Sequence, residues 1–310
     1  MRIPYYPGCS PKTSAKNLES SAVAVAKALG VELVELPRWN CCGAVTSLTS
    51  DDLIHHVAAI RNLIRVQEMN EKEIVKNEYR LVTLCDMCYN TLKRSNLFVR
   101  EDPERLTKIN TFMDREEDYK GNVQVIHFLQ LLKEIGFDQI RRKVKVPLKG
   151  LKISPYYGCM LLRPREIAID DPEKPTILGD VLQAVGAEVI DNPYKTRCCG
   201  SYQTVSRKHV VAELTFDIIG QAVERGAEAI ALSCPLCAFN LDERQVEVVE
   251  RHSEFGRIPI FYFTQLMALA FGLGEENVRL DLNYTDPSSL LIAKGILSAP
   301  RSVPPLEASV

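Results

Sequence analysis

The sequence has no marked excess of either charge. Its 38 Lys and Arg residues nearly balance 40 Asp and Glu residues, which gives a net charge of −2 and a pI near 6.3. A chain without a global basic field does not attract nucleic acid or an anionic membrane electrostatically. Nucleic-acid binding is therefore not expected.

Long hydrophobic runs are also lacking. The longest apolar stretch covers residues 263–273 and is interrupted by Thr264, Gln265 and Gly272, whereas a membrane-spanning helix needs about 20 apolar residues. Residues 1–4 do not begin a signal peptide. We therefore expect a cytoplasmic protein without a membrane span. In that reducing compartment its ten cysteines are expected to be metal ligands or redox catalysts.

No Gly-x-Gly-x-x-Gly fingerprint occurs in the chain. That motif places backbone close to the pyrophosphate of a dinucleotide. Its absence predicts that neither flavin nor nicotinamide binds to this chain, so that electrons must reach it from a partner.

The cysteines that are present fall into two sets with the same order: a single Cys, an adjacent pair, and a Cys-x-x-Cys. The first set is Cys9, Cys41, Cys42, Cys85 and Cys88, and the second is Cys159, Cys198, Cys199, Cys234 and Cys237. The flanks repeat as well: residues 5–9 match 155–159, and the motif at 127–132 matches that at 262–267. These repeats indicate a duplication.

The duplication predicts the domain organisation. We expect a first domain at 1–146, a second at 147–275 and a C-terminal extension at 276–310, with the basic stretch 141–145 at the join. Residues 286–293 are predicted to form a capped short helix. Three prolines in 300–310 predict that the last ten or so residues are flexible.

Short β-rich runs alternate with helical patterns in both units, which predicts parallel sheets. The predicted strands are 2–6, 31–36, 80–84 and 123–126 in the first unit and 152–157, 187–190, 228–232 and 259–262 in the second. Helices are predicted at 18–29 and 51–69, the latter with Ser50 as N-cap. The fold class is therefore α/β, with two homologous domains, each a small, mostly parallel sheet flanked by helices.

The cysteines of each set follow the ends of predicted strands, and the carboxyl ends of parallel strands lie along one edge of a sheet. Soft thiolates select zinc or iron-sulfur clusters. A structural zinc site and a cubane [4Fe-4S] cluster each take four cysteines, so either leaves one idle in each unit. The repeated set of five favours iron-sulfur clusters over zinc. It also disfavours vicinal disulfides, because adjacent cysteines pair only in a strained geometry.

The order Cys, Cys-Cys-Gly, Cys-x-x-Cys, present twice, resembles that of the CCG domains in the B subunit of heterodisulfide reductase, over nearly the whole chain to about residue 285. The resemblance implies that each set of five cysteines binds an unusual noncubane [4Fe-4S] cluster at the carboxyl ends of the strands. The spacing alone fits a cubane with a spare thiolate equally well.

The same resemblance implies a catalytic subunit that reduces a disulfide, or in reverse forms one. Each cluster would deliver one of the two electrons while an iron of each captures one sulfur. In methanogens the substrate would be the mixed disulfide of coenzyme M and coenzyme B. The implied partners are a flavin-containing protein, which corresponds to the A subunit of the family, and a ferredoxin-like protein, which corresponds to the C subunit.

Candidate residues beyond the ligands are charged or titratable side chains near the cysteines. Guanidinium and ammonium groups could bind an anionic substrate; those near the ligands are Lys12, Lys16, Arg163, Arg165 and Arg197. Imidazole titrates near neutral pH, and the candidate proton donors are His55, His56 and His127. Solvated surface charge is the competing interpretation for the cations. For His127 it is packing, because its counterpart in the repeat is Tyr262.

Two other functions fit the same cysteines. CCG domains also occur in sulfur-oxidising complexes and in glycolate, lactate and succinate oxidising systems, where a sulfur carrier, a quinone or another cluster would replace the disulfide. Two zinc sites, each closed by four thiolates, would instead make the chain a non-catalytic scaffold. Metal content separates the scaffold from the redox functions.

Overall fold

The computed structural model describes residues 1–44 and 52–298. In the first half, the strands are β1 (Arg2–Tyr6), β2 (Glu32–Glu35), β3 (Arg80–Thr83) and β4 (Gln124–His127). The helices are α1 (Cys9–Lys12), α2 (Lys16–Ala28), α3 (Val57–Glu71), α4 (Asp86–Arg100), α5 (Pro103–Phe112), α6 (Phe128–Ile135) and α7 (Phe137–Lys143).

The second half repeats this order of strands and helices. Its strands are β5 (Lys152–Pro155), β6 (Glu188–Val189), β7 (Ala229–Leu232) and β8 (Ile260–Tyr262). Its helices are α8 (Ile177–Ala184), α9 (Lys208–Glu224), α10 (Pro235–Ala238), α11 (Gln245–Arg251) and α12 (Phe263–Ala270). A π-helical segment, Phe239–Glu243, continues α10. The extension adds α13 (Glu275–Val278) and α14 (Ser288–Ala293).

Each half contains one four-stranded parallel sheet. The strand orders are β2-β1-β3-β4 and β6-β5-β7-β8. Ile3 lies opposite Leu33 and Val82 opposite Ile126 in the first sheet; Ile230 lies opposite Ile260 in the second. The α/β class with two parallel sheets flanked by helices is therefore confirmed, and each predicted strand overlaps an observed one.

Apolar periodicity explains how the helices cover the sheets. Leu18, Ala22, Val25 and Ala26 of α2 are all buried, and residues spaced by three or four lie on one face of a helix. Helix α3 buries Ile60, Leu63 and Ile64 in the same way. Because helices cover both faces of a parallel sheet, its inner strands are apolar throughout: Ala229 to Leu232 of β7 are all buried.

The two halves pack through equivalent helices. Helix α2 of the first half packs against α12 of the second, and α6 of the first packs against α8 of the second. The rings of Phe128 and Phe263, which occupy the same place in the repeat, lie 6.2 Å apart between their centroids. The hydroxyls of Ser21 and Thr264 are 2.7 Å apart in this buried contact. One core therefore joins both halves.

Helix boundaries differ in places from the predictions. Asp52 caps the segment before α3: its carboxylate accepts a hydrogen bond from the backbone N–H of Ile54 at 3.4 Å, and a turn of 3₁₀ helix, Leu53–His56, precedes α3. Ser50 and the tail 300–310 lie outside the described residues. The predicted helix in the extension is α14, with the Asp286 carboxylate accepting from the N–H of Ser288 at 2.9 Å. Among the helices, the sequence predicted ranges only for α2, α3 and α14; α5 is one of those that it did not predict.

Candidate metal centres

All ten cysteines lie at the carboxyl ends of strands or at the helices that follow. Cys9 begins α1 directly after β1, and Cys85 is the N-cap of α4 directly after β3. In the second half, Cys159 follows β5 and Cys234 is the N-cap of α10 after β7. The adjacent pairs lie in the loops after β2 and β6. None of the ten forms a disulfide.

Each set of five has a buried base and an open rim. The Sγ atoms of Cys42 and Cys88 lie 3.7 Å apart in the first set, and those of Cys199 and Cys237 lie 3.4 Å apart in the second. These four side chains are buried, as are Cys85 and Cys234, whereas Cys9, Cys41 and Cys198 are exposed and Cys159 is half-buried. A molecule in solution can therefore approach each set from its rim.

Two glycines bring backbone against the buried thiols. Gly8 has φ of +74°, and a Cβ there would lie 3.0 Å from the Sγ of Cys88. Gly158 has φ of +62°, and a Cβ there would lie 3.3 Å from the Sγ of Cys237. Both the positive φ and the close approach require glycine at these positions.

The two sets meet at Cys85 and Cys234. Their thiols hydrogen-bond to each other across the boundary between the halves. The hydrogen bond from Cys234, followed by one from Cys88, lowers the pKa of Cys85 to about 6 despite burial. The bond between Cys234 and Cys237 lowers the pKa of Cys234, but the bond to Cys85 and burial outweigh it and raise this pKa to about 12. The interaction between these two thiols therefore shifts their pKa values in opposite directions.

A buried polar group that sequence reasoning missed lies beside this contact. The Oγ of Ser233 donates to Oδ1 of Asp86 at 2.6 Å. Burial, and then the charge of Cys234, raises the pKa of Asp86 well above its usual range. These residues belong to different halves, but both adjoin a Cys-x-x-Cys cysteine. That adjacency is the signal that could have identified them.

His127 lies close to the same carboxyl. Its Nε2 is 3.5 Å from Oδ1 of Asp86 and donates to the carbonyl of Leu84 at 3.0 Å, while Nδ1 accepts from the N–H of Leu129 at 3.3 Å. Burial lowers the pKa of His127 to about 4, although the bond to Leu84 raises it. His127 is therefore neutral at pH 7, with its Nε2 proton engaged, and its role as a proton donor stays a prediction.

The other two candidate proton donors, His55 and His56, both belong to the first half. His56 is buried, with Nδ1 2.9 Å from the Oγ of Ser95 and its ring stacked on Phe98 at 4.3 Å between centroids. His55 is half-buried in the 3₁₀ turn before α3. Stacking and the bond to Ser95 position His56 as a packed residue of the first half.

The candidate cations divide into two groups. Lys12 pairs with Glu19 and Glu35, both at 2.7 Å. Arg163 pairs with Glu173 at 3.2 Å, and Arg197 with Asp217 at 2.8 Å. Within the described residues, the exposed side chains of Lys16 and Arg165 have no ion pair. These two have the unpaired charge that an anionic ligand would need.

Tyr6 and Tyr156 hold equivalent loops beside the thiols. The hydroxyl of Tyr6 donates to the carbonyl of Asn40 at 2.9 Å, and that of Tyr156 to the carbonyl of Arg197 at 2.5 Å. Each carbonyl comes directly before an adjacent cysteine pair. Burial, with the nearby thiolates of Cys88 or Cys237 as the next cause, raises the pKa of both phenols well above their usual range.

The cysteine thiols are soft donors for a metal group. In the chain outside 45–51 and 299–310, no three His, Cys, Asp or Glu side chains are grouped so as to hold one metal ion. The Sγ atoms of Cys42 and Cys88 are 3.7 Å apart, and those of Cys199 and Cys237 are 3.4 Å apart. Two sulfurs bound to one metal in a tetrahedral site, with metal–sulfur bonds of about 2.3 Å, would be about 3.8 Å apart. Five soft donors around one glycine-lined edge fit a polynuclear iron-sulfur group. Over the same residues, no helix is both long and apolar enough to cross a membrane.

Comparison with known proteins agrees with this arrangement. The chain matches the CCG family, described as "Cysteine-rich domain", at residues 3–93 and again at 153–242. A solved structure of a hypothetical protein from Helicobacter pylori shares the fold with a TM-score of 0.69 and 10% identity, covering 91% of this chain and 51% of that one. The chain thus spans about half the length of that structure.

Curated relatives cover nearly the whole chain. It is 29% identical over 288 residues to the "8-methylmenaquinol:fumarate reductase membrane anchor subunit" of Wolinella succinogenes, covering 92% of this chain and 98% of that protein. It is 27% identical over 288 residues to the B subunit of the ferredoxin/F(420)H(2)-dependent CoB-CoM heterodisulfide reductase of Methanosarcina acetivorans, covering 91% and 93%. A protein of Archaeoglobus profundus named for its likeness to the heterodisulfide reductase B subunit is 27% identical over 285 residues, covering 87% and 91%. With two matches that together span more than half of its length, the chain belongs to the CCG cysteine-rich domain family.

Proposed function

We propose that this chain is a catalytic subunit, similar to the B subunit of heterodisulfide reductase, that binds two [4Fe-4S] clusters of the noncubane type. Cys9, Cys41, Cys42, Cys85 and Cys88 would hold one cluster. Cys159, Cys198, Cys199, Cys234 and Cys237 would hold the other. When bound, such clusters supply one-electron redox chemistry and iron that accepts a substrate sulfur.

The contact between Cys85 and Cys234 carries this proposal. It places one ligand of each set side by side, so that the two centres would be neighbours. Cleaving a disulfide needs two electrons and two positions for the separating sulfurs. Two neighbouring centres at the edges of the two sheets meet that need. A non-catalytic zinc scaffold would not require its two metal sites to be neighbours.

The protein's own residues position the substrate and exclude water. The buried thiols form the base of each set, while the exposed Cys9, Cys41 and Cys198 border the opening. Lys16 and Arg165, which lack ion pairs among the described residues, are the proposed anchors for an anionic tail. Ser233 and Asp86 fix the spacing between the two sets. The reductant would reach the chain in the cytoplasm, through partners that resemble the flavin-bearing A subunit and the ferredoxin-like C subunit of the family.

The decisive experiment measures metal and activity together on anoxically purified protein. We expect about eight iron and eight sulfide per chain, little zinc, a thiol-dependent EPR signal after oxidation, and viologen-dependent reduction of the coenzyme M–coenzyme B disulfide or another anionic disulfide. Cys88→Ser and Cys237→Ser should each remove about half of the iron and abolish turnover. About two zinc and no sulfide would refute the proposal and support the zinc scaffold.

A second candidate function rests on the 29% identity with the protein from the methylmenaquinol:fumarate reductase. In it, the chain would pass electrons between a quinone and a partner, with the same clusters. Oxidation of a menaquinol analogue, together with no reduction of any disulfide tested, would favour this alternative.

A further inference from the structure

The two halves differ at the position that directly follows their Cys-x-x-Cys motifs. Tyr89 follows Cys88, and Ala238 follows Cys237. Tyr89 is buried, its hydroxyl donates to the carbonyl of Ile167 at 2.7 Å, and its ring meets that of His127 edge-on with centroids 6.0 Å apart. In the first half this ring fills the space between α4 and the loop of the other half.

A cavity of about 40 Å³ lies at the equivalent place in the second half. Ala238 lines it, and Asn17 faces it. Asn17 follows Cys9 by eight residues, as Ile167 follows Cys159, so it is the counterpart of the residue that Tyr89 contacts. The other polar residues of the lining are Ser14, Asp242, Tyr262, Asn283 and Tyr284. Since one water needs about 10–15 Å³ and two to four polar partners, this cavity can hold water.

Asp242 is the acidic group of this cavity. It lies in the π-helical segment and is 3% exposed. Its Oδ2 accepts from the N–H of Tyr284 at 3.0 Å, and its Oδ1 from that of Thr285 at 2.9 Å. Burial raises its pKa to about 6, although the bonds from Thr285 and Tyr284 and the charge of Arg257 lower it. The carboxyl group therefore exchanges a proton near neutral pH.

No cation forms an ion pair with Asp242 among the described residues, although several charged and titratable groups surround it. Arg257 acts from the loop before β8, Tyr262 from β8 and Tyr284 from the extension. On its own segment, Glu243 and Arg244 act on Tyr284, and Arg244 pairs with Glu247 at 2.6 Å. Within residues 1–44 and 52–298, no ion pair neutralises Asp242.

Tyr262 lines the cavity together with Pro235, which directly follows Cys234. It is 6% exposed. A hydroxyl both donates and accepts, so it can pass a proton between cavity water and a sulfur at the second set of cysteines. The first half has His127 in this position and Tyr89 in place of the cavity.

We propose that this cavity is a proton inlet that serves the second half only. The proton moves from the Asp242 carboxyl through cavity water and the Tyr262 hydroxyl to the thiolate released at the second set of cysteines. One disulfide, two electrons and two protons give two thiols; the electrons come from the external reductant, and solvent at Tyr284 reprotonates Asp242. The other thiolate is protonated from the open rim. This inference rests on the proposed function.

Asp242→Asn tests the inlet with little change of shape. Positioned general acids contribute large factors, so we expect the kcat of viologen-dependent disulfide reduction to fall about tenfold or more at pH 6, with an unchanged KM. The parent's rate should decline as pH rises above about 6, because the acid form of Asp242 is lost, and the variant should lack this decline. Asp170→Asn is the matched control, because the Asp170 carboxylate also accepts from backbone N–H groups, those of Asp171 at 2.8 Å, Thr176 at 2.6 Å and Ile177 at 2.8 Å, and does not line the cavity.

Filling the cavity tests it independently. Ala238→Leu, with iron content equal to that of the parent, should lower kcat in the same way while leaving Asp242 in place. Parent rates and an unchanged pH profile in both variants would overturn the inlet and leave disulfide reduction standing.

Infrared spectroscopy gives a readout that does not depend on disulfide turnover. Reduced-minus-oxidised difference spectra should contain a carboxyl band that Asp242→Asn removes and Asp170→Asn retains. If that band is present but the parent reduces no disulfide, the proposed function fails while the inlet stands for another proton-coupled reduction. If no band depends on Asp242, the inlet is wrong whatever the substrate.

Discussion

The hydroxyl of Ser233 donates a hydrogen bond of 2.6 Å to the carboxyl of Asp86, joining two residues 147 positions apart in the sequence. Both are buried, and each adjoins a Cys-x-x-Cys cysteine of a different half. This bond connects the bases of the two cysteine sets directly.

Ser233→Ala should therefore destabilise the protein. Loss of the donor leaves a buried carboxyl without this partner, at a cost of about 1–3 kcal/mol. Anoxic urea unfolding measures the change. Ser154→Ala is the control, because the Ser154 hydroxyl is also buried but has no hydrogen-bond partner within the described part of the chain. Equal effects of the two substitutions would contradict a role for the bond.

Gly8→Ala should reduce metal binding in the first half. Its Cβ would lie 3.0 Å from the Sγ of Cys88, and its φ of +74° is strained for alanine. We expect about half of the parent's iron per chain. Gly30→Ala separates the two causes, since Gly30 has φ of +78° but nothing within 4 Å of an added Cβ. That variant should lose about 1–2 kcal/mol of stability and keep its iron; full iron in Gly8→Ala would refute the steric argument.

His127→Gln should change how stability depends on pH. The folded-state pKa of His127 is about 4, below the ordinary value of 6.5, so the unfolded chain binds more protons between these values. Stability contributed by the neutral imidazole is present above about pH 6.5 and lost as pH falls towards 4, by up to about 3 kcal/mol. The variant should lack this loss in urea titrations at several pH values. The exposed His209→Gln should behave like the parent.

Arg65→Met should destabilise the first half strongly. Arg65 is 2% exposed and pairs with Glu116 at 2.6 Å and with Glu68 at 2.5 Å. Breaking a buried pair costs about 3–5 kcal/mol. Arg61→Met removes a half-exposed partner of the same Glu116 at 2.9 Å and should cost less than about 1 kcal/mol. Similar losses would contradict the burial argument.

The same ion pairs predict that the difference in unfolding free energy between the parent and Arg65→Met depends on pH in the acid range. The hydrogen bond from Arg65 is the largest cause that lowers the pKa of Glu116 to about 2. This stabilisation is present above about pH 4.5 and lost as pH falls through 2. The gap in unfolding free energy between parent and Arg65→Met should thus narrow over that range. A constant gap would be inconsistent with it.

Local patterns were sufficient to predict the architecture. Strand β7 is a short apolar run and α2 has helical periodicity, so each could be identified without knowledge of its neighbours. Helix α5 escaped because it lies between Cys88 and His127 in a polar segment, where the first half is longer than the second. Only residues whose role follows from nearby sequence were accessible in this way.

The environment of the cysteines depends on contacts between residues that are distant in the sequence, and the sequence alone does not reveal these contacts. Lys12 is three residues from Cys9, yet its ammonium group pairs with Glu19 and Glu35. Asp86 meets Ser233 only because α4 and α10 face each other across the boundary between the halves. The cavity at Ala238 becomes apparent only when that position is compared with Tyr89 in the folded chain.

Both halves belong to one polypeptide. Equivalent positions can therefore hold different residues, such as Tyr89 and Ala238. A homodimer built from a single half would repeat every substitution on both sides of its twofold axis. Fusion of the two copies removes that constraint, so each side can change alone. An unsymmetrical molecule can then be held in one orientation, with each end matched to its own side of the axis.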